Sequence, residues 1–303
     1  MTAVLPARLL NLPEHYDLAG TLSGLAVIRN DPTVRVTARE AWWVTRTPDG
    51  PGTLHFVRSG GTLTAEAFGA GAAWLLERAD AIAGLRDDLS SFASVAGRHE
   101  VVRRLARTHQ GWRMPASGLV FHHLLPAILG QKVTYQEAYR SYRAILRHFG
   151  EPAPGMPDMP VPPAAEAIAA TPYYVLHPFG VEQRRADTLR RAADRAAALE
   201  RAVDAADAVR RLVSLPGIGP WTAAEVVRAS HGDPDAVSVG DYHLPNTVAW
   251  ALAREARADD RRMLELLEPF RGHRGRVCRL LMAAGIGAPK YGPRFQIRSF
   301  ARF

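Results

Sequence analysis

The chain has 303 residues, 47% hydrophobic and 22% charged, with a formal charge of +8 and a sequence pI near 10.1. That length can hold two or three domains and a sizeable core, and the composition excludes a disordered or low-complexity chain. The excess of base is almost all arginine, with Lys132 and Lys290 the only lysines, and it favours a polyanionic partner; the single Cys278 excludes an internal disulfide, a cysteine zinc site and a four-cysteine iron–sulfur cluster.

Apolar runs such as LVFHHLLPAILG are interrupted by histidine or proline and fall short of the roughly 20 residues of a spanning helix. The opening MTAVLPARLLNLPEHYD has neither the basic region nor the long apolar core of a secretory signal. A cytoplasmic protein without a membrane segment is expected.

Residues 1–100 read as a mixed α/β domain. From Thr21 to Gly69 apolar and polar residues alternate, and NDP, TPDGPG and SGG supply turn signals, which predicts an antiparallel sheet of short strands. AGAAWLLERADAIAGL then has helical period and should pack on that sheet.

Residues 101–285 read as all-helical. RHEVVRRLARTH (from Arg98), LVFHHLLPAILGQKV, TYQEAYRSYRAILRHFG, VEQRRADTLRRAADRAAALERA and DAADAVRRLVSL each present an apolar stripe. Adjacent on such a helix, His122 and His123 would diverge by roughly 100°, so they make no metal pair and read as structural. EPAPGMPDMPVPP has six prolines in thirteen residues. It cannot be helix and reads as an extended connection between two parts of the helical region. The last stretch, 286–303, interleaves Lys290, Arg294, Arg298 and Arg302 with Tyr291, Phe295 and Phe300, a pattern suited to the DNA backbone or to a packed terminus. The fold class expected is α+β, an N-terminal antiparallel sheet with helices followed by an all-helical domain.

LVSLPGIGPWTAAEVV, from Leu212 to Val227, carries the sharpest signal. A dinucleotide fingerprint needs a buried strand before the first glycine and a small residue where Thr222 stands; here a helix precedes the glycines. The alternative is helix, tight hairpin, helix, with Pro220 at the first position of the second helix. Gly217 and Gly219 let the chain turn and leave room for a phosphate, while the helix start offers free N–H groups and its positive dipole end. A plain glycine corner without a ligand would use the same residues.

LPGIGPWTA, followed 24 residues after Gly217 by Asp241 in VSVGDYHLPN, resembles the helix-hairpin-helix superfamily of DNA glycosylases. GWRMP, AILGQKV and GVEQRRADTL appear in the order used by its 3-methyladenine DNA glycosylase II (AlkA-like) branch, so the resemblance extends over most of the chain. It implies a monomeric enzyme that flips damaged, alkylated purines out of double-stranded DNA and hydrolyses the N-glycosidic bond, with no organic cofactor.

On that resemblance Asp241 is the catalytic carboxylate, stabilising positive charge on the sugar and orienting or activating water. As aspartate it could equally cap the helix YHLPNTVAWALA, whose N–H groups would favour the charged carboxylate. Trp221 stands where strand-nicking relatives carry a Schiff-base lysine, which implies a monofunctional hydrolase. It could stack on the flipped base or pack in the core, and Tyr242 is a further pocket candidate. Glu225 and His273 stand where relatives carry aromatic pocket residues; fewer aromatic faces would weaken attraction for a cationic base, and Glu225 could partly restore it. Gln131 is expected to brace the pocket or face the DNA. Gly217, Ile218, Gly219 and Thr222 form the DNA-facing hairpin, and Met114 falls where an apolar plug fills the hole left by the flipped base, or is simply a buried loop residue. The family's hairpin carbonyls, here those of Val213, Leu215 and Ile218, can hold a monovalent cation. Two rivals share these motifs: a glycosylase for deaminated or oxidised bases, and a non-catalytic hairpin protein that only binds DNA.

Overall fold

The computed structural model describes residues 6–289, so the basic aromatic stretch from Lys290 onward lies outside the described residues. The chain begins with strand β1 (Arg8–Asn11), helix α1 (Leu18–Leu22) and a 3-10 turn (Ser23–Leu25). Strands β2 (Val34–Val36), β3 (Glu40–Thr47), β4 (Gly50–Ser59) and β5 (Thr62–Phe68) follow. They form one antiparallel sheet in the order β1-β5-β4-β3-β2. Alternation along the strands sends Ala41, Trp43, Leu54, Phe56, Leu63 and Ala65 to one face. That face packs on α1 and on helices α2 (Ala72–Glu77) and α3 (Ala79–Ile82).

Residues 21–25, which the alternation assigns to a strand, are instead the end of α1 and its 3-10 turn. Leu18, Leu22 and Leu25 recur at helical spacing and are all buried against the sheet. Asp17 fixes the helix start by accepting the Gly20 N–H at 2.9 Å.

The remainder is helical apart from one hairpin. Helices α4 (Phe92–Ala96), α5 (Glu100–Thr108), α6 (Val120–Leu129) and α7 (Tyr135–Phe149) come first. A Thr134–Glu137 capping box opens α7. The proline-rich segment is a correction to the expected linker: it folds back as strands β6 (Glu151–Ala153) and β7 (Met156–Val161). Ala153, Met159 and Val161 pack with Val44 on the sheet face opposite the main core. A two-stranded ribbon consists only of edges, which is where proline is tolerated in a sheet.

Next come α8 (Ala165–Ala170), α9 (Tyr173–Leu176), a 3-10 turn (His177–Phe179), α10 (Gln183–Asp194), α11 (Ala196–Leu199), α12 (Ala205–Val213) and α13 (Pro220–Ser230). Helices α14 (Leu244–Ala253), α15 (Asp260–Leu267) and α16 (Arg274–Ala283) end the described chain. The helices divide between two apolar cores. One joins α6, α7, α10, α12 and α13; the other joins α4 and α5 to α14, α15 and α16. The boundary expected at residue 100 therefore moves, because Phe92, Val95 and Ala96 pack with the last helices rather than with the sheet.

Helix α6 is buried from end to end. Its first N–H groups, on Val120 and Phe121, donate to the Glu200 carboxylate at 2.8 and 2.7 Å. At its other end the Leu129 carbonyl accepts from Arg185 Nη1 at 2.8 Å. Side chains from remote helices thus close both ends of a helix that has no solvent to satisfy them. The histidine pair is structural, as expected. His122 accepts from Trp43 Nε1 at 3.3 Å and pairs with Thr45 Oγ1 at 2.9 Å, tying α6 to the sheet. His123 bonds Ser117 at 2.7 Å.

Candidate active site

Helix α12, a six-residue turn and α13 form the expected helix, hairpin and helix. Ile218 anchors the turn, its side chain 5% exposed within the first helical core and its N–H bonded to the Leu215 carbonyl at 3.0 Å. Gly217 has φ +94°, and a Cβ there would lie 2.3 Å from Thr188 Oγ1. Glycine is therefore demanded by the turn and by α10 behind it, before any ligand is considered. Gly219 is different. It precedes α13 in an extended conformation, φ −106° and ψ −179°, and a Cβ would meet nothing within 4 Å. Among the described residues no side chain caps this helix end, and Pro220 occupies its first turn.

Gln131 braces the turn from the end of α6. Its Nε2 donates to the Gly217 carbonyl at 3.0 Å and to Thr222 Oγ1 at 2.9 Å. Thr222 is only 2% exposed, so its hydroxyl serves this brace rather than an outside ligand. Of the carbonyls considered for a cation, that of Leu215 already accepts the Ile218 N–H.

Asp241 lies at the start of α14, on the loop that joins the two helical cores. Oδ1 accepts the N–H groups of His243 and Leu244, both at 2.8 Å, and Oδ2 accepts Trp221 Nε1 at 3.1 Å. Asp241 thus holds the start of α14 through Oδ1 and the indole of α13 through Oδ2. Trp221 is half-buried on the first turn of α13, with the edge of its ring against Gly130. Tyr242, next to the aspartate, is 69% exposed with its ring edge-on to His243.

Three expectations are corrected by the packing. Glu225 is not a spare negative charge, since Oε2 pairs with Arg228 at 3.1 Å and Oε1 accepts Ser238 Oγ. Ser238 in turn accepts the Asp241 N–H on its carbonyl at 3.2 Å, so Glu225 secures the loop that carries the aspartate. His273 is 4% exposed in the second helical core, bonded to Ser91 Oγ at 2.8 Å and to Arg276 Nε at 3.3 Å. Burial holds it below the usual histidine range, as expected of a core imidazole rather than a pocket wall. Met114 is 2% exposed: its N–H donates to Asp87 at 2.8 Å and its sulfur lies 3.6 Å from Arg279 Nη1. An unbranched thioether fills this crevice well, and in this arrangement it is no surface plug.

Arg191, which the sequence reading did not single out, borders the turn. It projects from α10, exposed, with Nη2 at 3.3 Å from the Pro216 carbonyl, and it is in no ion pair among the described residues. Lys132, beside the Gln131 brace, is likewise exposed. The spacing of Thr188 and Arg191, three apart on one helix face, was the available signal, since one backs the turn and the other reaches it.

No protein-family model matches the chain. It is 28% identical over 159 residues to a Bacillus subtilis (strain 168) protein named "Putative DNA-3-methyladenine glycosylase YfjP", an alignment covering 50% of this chain and 53% of that protein. The chain thus matches about half the length of that relative. The structure of the 3-methyladenine DNA glycosylase from Archaeoglobus fulgidus superposes with a TM-score of 0.74 at 18% identity, covering 91% of this chain and 97% of that one. The chain shares the fold of that glycosylase structure. The Clostridium acetobutylicum 8-oxoguanine glycosylase/lyase shares it too, with a TM-score of 0.70 at 11% identity over 92% of this chain and 96% of that one. Structures named as a glycosylase and as a glycosylase/lyase therefore share this architecture.

Proposed function

We propose that the chain is a monofunctional DNA glycosylase that hydrolyses the N-glycosidic bond of alkylated purines. The observation that carries the reading is the half-buried Asp241 carboxylate, held by three N–H groups beside the uncapped start of the hairpin's second helix. Backbone N–H groups of the turn and the exposed Arg191 and Lys132 would grip one strand without reading its sequence. An alkylated purine carries a positive charge, so it leaves C1′ as a neutral base with the bonding electron pair and needs no acid. Charge then develops on the sugar. Asp241 stabilises it and takes a proton from the water that adds to C1′. A carboxylate about 4 Å from that charge at an effective dielectric of about 20 contributes roughly 4 kcal/mol, or about a thousandfold in rate.

Trp221 supports the monofunctional reading, because an indole cannot form an imine at the place a lyase lysine would need. The Trp221 ring, bonded to the carboxylate, and the exposed Tyr242 next to it in sequence are aromatic surfaces a flipped base could meet. The test is a panel of duplexes, each with one lesion, assayed for base release and for strand breaks before and after alkali. Release of an alkylated purine, with breaks only after alkali, is expected. Asp241→Asn should slow release about a thousandfold and leave abasic-duplex affinity within about tenfold. Preference for a deaminated or oxidised base would replace the substrate class, breaks before alkali would end the monofunctional reading, and retained release in Asp241→Asn would remove Asp241 from the mechanism.

A further inference from the structure

A carboxylate that must face a developing charge has to present the same oxygen at every turnover. The two amide N–H groups of His243 and Leu244 fix Oδ1, but both come from the residues that follow Asp241 itself, and they leave Oδ2 undirected. Among the described residues Oδ2 is fixed only by Trp221, which reaches it from the other helical core. The indole lies beside the end of α6. A Cβ on Gly130 would already stand 3.4 Å from its Cη2, and its neighbour Thr222 is pinned by Gln131. The donor is also neutral. An ammonium group in its place would offset the negative charge, whereas the indole orients the carboxylate and leaves its charge for the sugar.

Resting on the glycosylase reading, we propose that Trp221 is the positioning residue of Asp241, and that its principal contribution is the Nε1–H rather than the face of its ring. A residue that stacks on the base acts through its face, and one that only packs acts through its volume. Neither needs the N–H.

The deciding experiment removes the N–H alone. Placing 3-benzothienylalanine, which has sulfur where indole has N–H, at position 221 keeps the shape and the aromatic face; Trp221→Phe is the simpler companion. Single-turnover base release should fall roughly 10- to 100-fold, the scale of one hydrogen bond to a charged group, with abasic-duplex Kd within about twofold and an unchanged Tm. In the wild-type protein the indole N–H resonance that is lost in Trp221→Phe should also move in Asp241→Ala. Full activity with the sulfur analogue, or a loss confined to Kd, would overturn the proposal while leaving the glycosylase reading in place. A wild-type protein that releases no base from any duplex would instead overturn the glycosylase reading.

Discussion

Replacing Gly219 with valine separates the needs of the fold from those of a bound strand. The backbone at Gly219 is extended, φ −106° and ψ −179°, a conformation β-branched residues adopt readily, and the added Cβ meets nothing within 4 Å. The remaining cost in the free protein is the lower preference for valine at a helix start, about 1 kcal/mol, against a typical stability of roughly 5–15 kcal/mol. The variant should therefore fold, with Tm lowered by only about 2–4 °C. If a phosphate sits on the N–H groups here, the isopropyl group stands in its way. Losing a charge-assisted hydrogen bond of about 1.5–3 kcal/mol weakens binding roughly 10- to 150-fold. Because the contact reads no base, the factor should be the same on undamaged, abasic and lesion duplexes, and the slope of log Kd against log salt should fall by about one unit. Fluorescence anisotropy across a salt series measures both. Unchanged affinity and slope in a folded Gly219→Val protein would refute the phosphate grip and leave a bare helical corner. Gly217 is the wrong residue for this test, since its φ of +94° and the Thr188 hydroxyl, 2.3 Å from where a Cβ would stand, would destabilise the free protein as well.

Arg191→Gln should lower the salt slope by about one unit and weaken every duplex alike, yet leave the single-turnover rate at saturating protein unchanged; a change in that rate would show that Arg191 serves more than the backbone grip. The buried His122 is expected to make acid stability measurable. Its Nε2 accepts the Trp43 N–H, and burial pushes its pKa down to about 3, so the folded state holds it neutral while the unfolded chain protonates it near 6.5. Its contribution is complete above about pH 6.5 and is lost as pH falls towards 3, at about 1.4 kcal/mol per pH unit. The stability gap between wild type and His122→Gln in urea melts should narrow at that rate below about pH 6.5. Asp31, pushed up to about 6 by burial, titrates in both proteins and cancels. A gap independent of pH would mean that His122 is protonated in the fold.

The parts of the site legible in the sequence are those whose demands are local. Gly217 must be glycine for its own φ, Pro220 suits a helix start, and both stand within a few residues of each other. That Asp241 would stand beside that stretch was expected from the family resemblance rather than from any local demand, and the Trp221 contact brings the two together. The rest depends on partners that no local pattern names: Ser238 for Glu225, Ser91 for His273, and Asp87 for the loop of Met114. A loop position fixes neither exposure nor direction, and a methionine loses nothing by being buried. The fold shows the same division. Period-two alternation found β3, β4 and β5, but a short apolar run such as Leu22–Leu25 fits helix and strand alike until the sheet it packs on is known. The proline-rich stretch was correctly excluded from helix, and only the exposed face of the sheet decided that it would fold back as a hairpin.

The position of Asp241 follows from how the two helical cores are joined. The loop after α13 is fastened to the second core by Asp235, which accepts from the backbone of Gly272 and Arg274 and pairs with the Arg274 guanidinium at 2.6 Å. It is fastened to the first core by Glu225 through Ser238 and by Trp221 through Asp241. The aspartate thus sits on a segment tied from both sides, while the turn with Gly217 and Gly219 is fixed to the first core by Ile218, Gln131 and Thr188. On the proposed reading, a strand held at the turn would meet a carboxylate whose placement depends on both cores, and the Trp221 contact is the point at which that dependence reaches Oδ2.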